Sequence, residues 1–252
     1  MRPASIDLVG QSSCPVRTWA RGRRSLAIGL LALAGVAHAQ TASGTHPDFS
    51  GFWELRWDSR NIPAASLTPW AAGLDKKTLA QQNLHAIRWC NHVGLPAMME
   101  DGAPLDIRQG RYELAIASQS VSPGRHIYFD GRDQPSSDTF DPTTLGNSIG
   151  HWEGETLVVD TIGFNDKGIV DIPGGGVRTA GSHLTEAYRL LDEGRRLEVT
   201  FTWVDPKVYT SRHTYSFLYY RAPPGTRAHE WFCDPADTLR ARFLLDPPQG
   251  RP

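Results

Sequence analysis

Apolar and polar side chains alternate along three neighbouring segments in the second half of the chain, His183–Leu191, Leu197–Val204 and Ser211–Tyr220. Because successive side chains of a β-strand point to opposite faces, this alternation predicts three strands, each with one apolar face. Two of these faces include an ionisable residue, Glu186 in the first segment and His213 in the third. Burying such a group is costly unless it is paired or used, so these two residues are the first candidates for function.

Further short segments of the same kind precede these three, and turn signals separate them. Consecutive strands joined by tight turns predict a mainly β protein, a lipocalin-like antiparallel up-and-down β-barrel. A Thr68-Pro69 cap followed by helical spacing from Leu74 to Ile87 predicts a short helical insertion. The remaining predicted strands are Asp48–Trp57, Arg111–Ser118, Arg125–Asp130, Asn147–Trp152, Thr156–Ile162 and Ala228–Cys233.

The beginning of the chain has the pattern of a secretory signal peptide. Arg23 and Arg24 precede an apolar run, Leu26–Val36, and Ala37-His38-Ala39 is typical of a cleavage site. The apolar run is too short to cross a membrane, and no later segment is typical of a membrane span. We therefore expect an exported protein, periplasmic or secreted, with a signal peptide over residues 1–39 and a single β-barrel domain over residues 40–252.

Composition and missing motifs exclude several functions. The net charge of −1, without a basic stripe, argues against nucleic acid as a partner. The motifs of nucleotide cofactor sites and of serine hydrolases are absent, and Gly174-Gly175-Gly176 lacks the Lys and Ser/Thr of a phosphate-binding loop. No histidine pair has metal-ligand spacing. The expected partner is a small molecule, with no cofactor and no metal, and the oligomeric state is left open.

Two cysteines remain after the predicted cleavage, Cys90 and Cys233. Exported proteins favour disulfides, so the sequence predicts a bridge between them. The alternative is two unpaired buried thiols.

Several motifs spread over the mature chain form one set. Arg88-Trp89-Cys90, Asp130-Gly131-Arg132 and the run Ser148–Thr161 resemble the motifs of a largely uncharacterised family of exported bacterial proteins. The family has no established reaction, so the resemblance leaves the chemistry open, and Gln134 replaces a histidine that is usual in the family. Gly51-Phe52-Trp53 resembles the start of lipocalin-type barrels, in which the tryptophan closes one end.

The predicted reactive group consists of Glu186, His213, Tyr188 and Tyr215. Two strand spacings place Glu186 and His213 on the order of 10 Å apart, with room for a small substrate between them. Glu186 would act as the base and His213 as the acid, while Tyr188 or Tyr215 would polarise a substrate oxygen. The alternative is a structural network in which Glu186 binds an arginine or tyrosine inside the barrel.

A second set of residues is predicted to line the substrate. Its aromatic members share the apolar faces, and its polar members lie on or near other strands and turns. The structural alternatives are core packing for the aromatic residues, a turn locked by Asp130 and Arg132, and a hairpin position for His151. The set is Trp203, Phe201, Phe217, Arg132, His126 and His151.

Three functions are compatible with these features. The first is a cofactor-independent lyase, isomerase or hydratase that acts on a small, largely apolar or aromatic molecule. The second is a non-catalytic, lipocalin-like binding protein for such a molecule. The third is a structural module of the cell envelope without a ligand.

Overall fold

The structure is a computed structural model and describes residues 46–88, 93–100, 103–118, 121–136 and 138–227. Within these residues, nine strands form a closed barrel and two short strands form a separate hairpin. The strands are β1 Gly51–Leu55, β2 Leu105–Gln109, β3 Glu113–Ser118, β4 Val121–Tyr128, β5 Asn147–Glu153, β6 Thr156–Ile162, β7 Asp171–Ile172, β8 Gly176–Val177, β9 His183–Leu191, β10 Arg196–Val204 and β11 His213–Arg221.

Around the barrel the strands follow the order β1-β11-β10-β9-β6-β5-β4-β3-β2, and β2 closes the circle by pairing with β1. The predicted mainly β fold and its barrel are thereby confirmed. The alternation that predicted β9, β10 and β11 is also present, because alternate residues of each strand are buried. On β10 the buried residues are Leu197, Val199, Phe201 and Trp203.

One neighbouring pair of strands departs from the predicted antiparallel pattern. β4 and β5 run parallel and share only two residue pairs, Ile127 with Ser148 and Tyr128 with Ile149. Parallel neighbours require a connection that returns the chain to the same end of the sheet. The long segment between Tyr128 and Asn147 makes that return, so the first half of β4 has no partner in β5.

The predicted helical insertion is confirmed. It contains α1 (Pro69–Ala72) and α2 (Lys76–Arg88), and a further short helix, α3, covers Ala97–Glu100. Thr68 caps α1 by accepting a hydrogen bond from the Ala71 amide at 3.2 Å. A short 3₁₀ helix covers Trp57–Ser59. No helix in the described part of the chain is long and apolar enough to cross a membrane.

The glycine-rich segment forms the tip of the β7–β8 hairpin. Gly174 has a φ of +90°, and a Cβ atom there would lie 2.6 Å from the His213 ring. A Cβ on Gly176 would lie 2.1 Å from the Tyr209 hydroxyl. Glycine is therefore required at both positions for the hairpin to pack closely against the barrel.

Three predictions fall outside the described residues. They are the signal peptide over residues 1–39, the bridge between Cys90 and Cys233, and the strand Ala228–Cys233. All three stay predictions.

Candidate functional site

Glu186 lies inside the barrel in a polar cluster that we call the Arg125 network. Arg125 Nη1 donates to Glu186 Oε1 at 2.8 Å, and Arg125 Nη2 donates to Glu186 Oε2. The Tyr188 hydroxyl donates to Glu186 Oε1 at 2.9 Å. Arg125 also donates to Ser148 and Thr161, at 3.0 and 2.9 Å. Four consecutive barrel strands thus join in one network, because β4, β5, β6 and β9 each contribute a residue.

The charges inside the Arg125 network compensate each other. Arg125 is 2% exposed and Glu186 is fully buried. Burial lowers the pKa of Arg125, but the neighbouring Glu186 and Tyr188 more than offset this, so the pKa lies above its usual value. Burial raises the pKa of Tyr188 well above its usual value, and the Glu186 charge adds to the rise. This arrangement is the structural network that the sequence offers as the alternative to catalysis. Both an arginine and a tyrosine are bound to Glu186.

His213 also points into the barrel and is 3% exposed. Its Nε2 atom is hydrogen-bonded to the carbonyl of Pro173 in the β7–β8 hairpin. The His213 ring packs between Tyr209 and Tyr215, with ring centroids 5.7 and 5.4 Å away. Glu186 and His213 therefore share the barrel interior, and each is hydrogen-bonded to a protein group.

The predicted aromatic lining residues form part of the core. Phe201 is opposite Glu186 on β9 and opposite Tyr215 on β11. Its ring lies 5.2 Å from both Tyr215 and Phe217, measured between centroids. Trp203 Nε1 donates to the Tyr215 hydroxyl at 3.1 Å. Aromatic rings thus occupy the wall between Glu186 and His213, and a substrate-binding role for them stays a prediction.

The three polar residues predicted to bind substrate lie on the outer surface. Arg132 forms two short hydrogen bonds with Asp130, and its guanidinium lies 3.9 Å from the Tyr128 ring centroid. His151 is paired with Glu153 at 3.0 Å on the β5–β6 hairpin. The side chain of His126 is 52% exposed. The contacts of Arg132 and His151 match the structural alternatives, and the structure does not bring the three residues together with Glu186 or His213.

A pocket of about 330 Å³ lies where the first half of β4 lacks a partner in β5. Arg125, His126 and Ser148 are among its lining residues. Each guanidinium nitrogen of Arg125 already donates within the Arg125 network, as described above. This pocket therefore borders the Arg125 network, but Arg125 has no free N–H donor for a ligand there.

A larger pocket of about 540 Å³ lies at the barrel end where β6 and β10 finish. Helices α1 and α2 form one side of it, and the segments after β6, β8 and β10 form the other. We call it the flank pocket and define it by Trp70, Leu74, Leu79, Phe164, Arg178 and Lys207.

Arg178 is the buried polar residue of the flank pocket and is 2% exposed. It donates to two backbone carbonyls, Nη1 to Thr144 and Nη2 to Lys167, the latter at 2.6 Å. Its Nε atom is buried and has no hydrogen-bond partner among the described residues. Burial lowers the pKa of Arg178 to about 10, with a partial offset from Asp166, so the side chain stays protonated at neutral pH.

Sequence reasoning identified neither buried arginine. Arg125 stands at the predicted start of β4, where the pattern did not show which face points inward. The alternation with buried Ile127 is the signal that places it inside. Arg178 follows a two-residue strand, which is too short for a periodic pattern. Its setting results from contacts with Thr144 and Lys167, which are distant along the chain.

Within the described residues, no group of three His, Cys, Asp or Glu side chains is arranged to hold a metal ion. Comparison of the chain with family models and with curated proteins gave no match.

Proposed function

We propose that this chain is a β-barrel protein that binds a small, largely apolar molecule in the flank pocket. The observation that carries the proposal is the pocket itself, with a volume of about 540 Å³. Small-molecule sites commonly enclose roughly 300–1,000 Å³ and combine apolar walls with a few polar groups. Leu74, Leu79 and Phe164 supply apolar walls, and Trp70 remains 43% exposed at the rim.

Binding is better supported than acid–base catalysis by Glu186 and His213. A general base must offer a lone pair to the substrate proton. The Glu186 carboxylate already accepts hydrogen bonds from Arg125 and Tyr188, and His213 is bound to the Pro173 carbonyl. Both side chains are also buried in the packed barrel interior, so a lyase, isomerase or hydratase substrate would reach them only if the core opened.

The proposal is tested by titrating the protein with two naphthalene probes, 2-naphthoate and 2-naphthylmethanol, in a calorimeter. A ligand of about a dozen heavy atoms, at about −0.3 kcal/mol per atom, binds with a Kd of roughly 1–3 mM. Leu79→Gln places an amide in the pocket wall and is expected to weaken binding at least fivefold, by roughly 1 kcal/mol. Leu84→Gln is the matched control, because Leu84 lies on the same helix, is 55% exposed and does not line the pocket.

Two results would overturn the proposed function. One is the absence of binding heat for both probes at concentrations up to about 5 mM, which exceeds the Kd expected above. The other is the same affinity for the probe in the Leu79 and Leu84 variants, because the probe would then be bound outside the flank pocket.

We also propose that the protein is exported, on the basis of the basic residues, apolar run and cleavage signal at its beginning. Expression of the full chain in a secreting bacterium is expected to yield a mature protein that starts at Gln40. N-terminal sequencing of the periplasmic and culture fractions checks this expectation. An intact N-terminus on protein found only in the cytoplasm would contradict it.

A further inference from the structure

Two arginines are buried among the described residues, in very different electrostatic settings. Arg125 and Arg178 are each 2% exposed. Arg125 forms an ion pair with the carboxylate of Glu186. Within the described part of the chain, no carboxylate lies within ion-pair distance of Arg178. The second arginine is therefore a buried cation without an ion-pair partner among these residues, and the Asp166 charge offsets its burial only in part.

The hydrogen bonds of Arg178 lead to the same conclusion. A guanidinium has five N–H donors, and the two backbone carbonyls account for two of them. Of the others, the Nε–H is buried without an acceptor among the described residues. Burying a charge in this way is costly unless something compensates it. A bound anion beside the Nη groups would supply the missing charge.

The surroundings of Arg178 favour an anion with an apolar body. The guanidinium lies over the Phe164 ring at 5.4 Å, and the Lys207 ammonium lies over the Trp70 ring at 4.2 Å. The pocket thus combines two cations with aromatic and aliphatic walls. Asp166 is the acidic residue of the lining, so the cationic side chains outnumber it.

We propose that the flank pocket binds a small organic carboxylate, with the carboxylate group at Arg178 and the apolar body against Phe164 and Trp70. A planar guanidinium matches the geometry of a carboxylate, which makes this head group the best fit. This inference rests on the proposed function, since it names the ligand class of the same pocket.

The two probes introduced above differ in charge and share one ring system, so they separate the inference from the proposed function. We expect wild-type protein to bind 2-naphthoate at least tenfold more tightly than 2-naphthylmethanol. Arg178→Met is expected to remove most of this preference, because the carboxylate loses its guanidinium partner while Lys207 remains as a cation of the pocket. Arg189→Met is the matched control, since Arg189 is an exposed arginine paired with Glu198, and it should keep the preference.

The comparison of the two probes on wild-type protein does not depend on the folding of a variant. Circular dichroism checks that the Arg178→Met variant is folded. Equal affinity of wild-type protein for both probes would refute the carboxylate and leave the proposed binding function intact. A preference as large as that of wild type in folded Arg178→Met would refute the role of Arg178. Acetate should compete at least tenfold more weakly than 2-naphthoate, and equal competition would show a site for simple anions instead.

Discussion

Glu186→Gln is expected to lower the free energy of unfolding by about 3–5 kcal/mol, the usual cost of removing one partner of a buried ion pair. The substitution leaves Arg125 charged and buried, and it replaces one accepting oxygen with an amide nitrogen. If the amide nitrogen takes the position of Oε2, it faces the donor Arg125 Nη2, and that hydrogen bond is lost. Urea denaturation followed by tryptophan fluorescence measures this change.

The matched control for this prediction is Glu198→Gln. Glu198 is paired with Arg189 at 2.9 Å, but the two side chains are 31% and 56% exposed. Ion pairs of this kind contribute about 0–1 kcal/mol, so the control should unfold almost like the wild type. The double variant Arg125→Met with Glu186→Leu should recover roughly half of the lost stability, because it removes both charges together. A Glu186→Gln protein as stable as the control would refute the structural role of the Arg125 network.

Phe201→Ala is expected to lower the free energy of unfolding by about 3–5 kcal/mol, because it opens a cavity in the aromatic core. Phe201 is fully buried and packs against Tyr215 and Phe217. The affinity for 2-naphthoate should stay within about twofold of wild type, since Phe201 does not line the flank pocket. Chemical denaturation and calorimetric titration of the same preparation test both parts.

Tyr112→Ala is the control for Phe201→Ala, because Tyr112 is an aromatic residue that is 53% exposed. Its unfolding free energy should change by less than about 1 kcal/mol. The expectation for Phe201→Ala would be contradicted by near-normal stability together with a large loss of affinity for 2-naphthoate. That result would support the hypothesis that Phe201 lines the substrate site.

Much of the barrel could be predicted because the local pattern of β9, β10 and β11 is complete. Each strand has several alternations, so the buried face was identified correctly. β2 was missed because its five residues, Leu105–Gln109, offer only two inward apolar side chains. The parallel contact of β4 with β5 depends on where a long connection returns, and a local pattern does not contain that information.

Only some of the polar residues in the barrel interior could be predicted from the sequence. Glu186 and His213 stood out because each interrupts an apolar face. Their partners did not, since Arg125 and Pro173 lie 61 and 40 residues away along the chain. Whether a buried charge is compensated depends on such distant contacts. This is why the sequence directed attention to Glu186, which has an ion-pair partner, and missed Arg178, which has none among the described residues.

The central claim is that the ligand site is the flank pocket and that the interior at Glu186 and His213 is structural. A crystal of the protein soaked with 6-bromo-2-naphthoate tests it most directly, because the anomalous signal of bromine locates the ligand. The account predicts a bromine peak in the flank pocket and a carboxylate within hydrogen-bond distance of Arg178. A peak inside the barrel, beside Glu186 and His213, would contradict it.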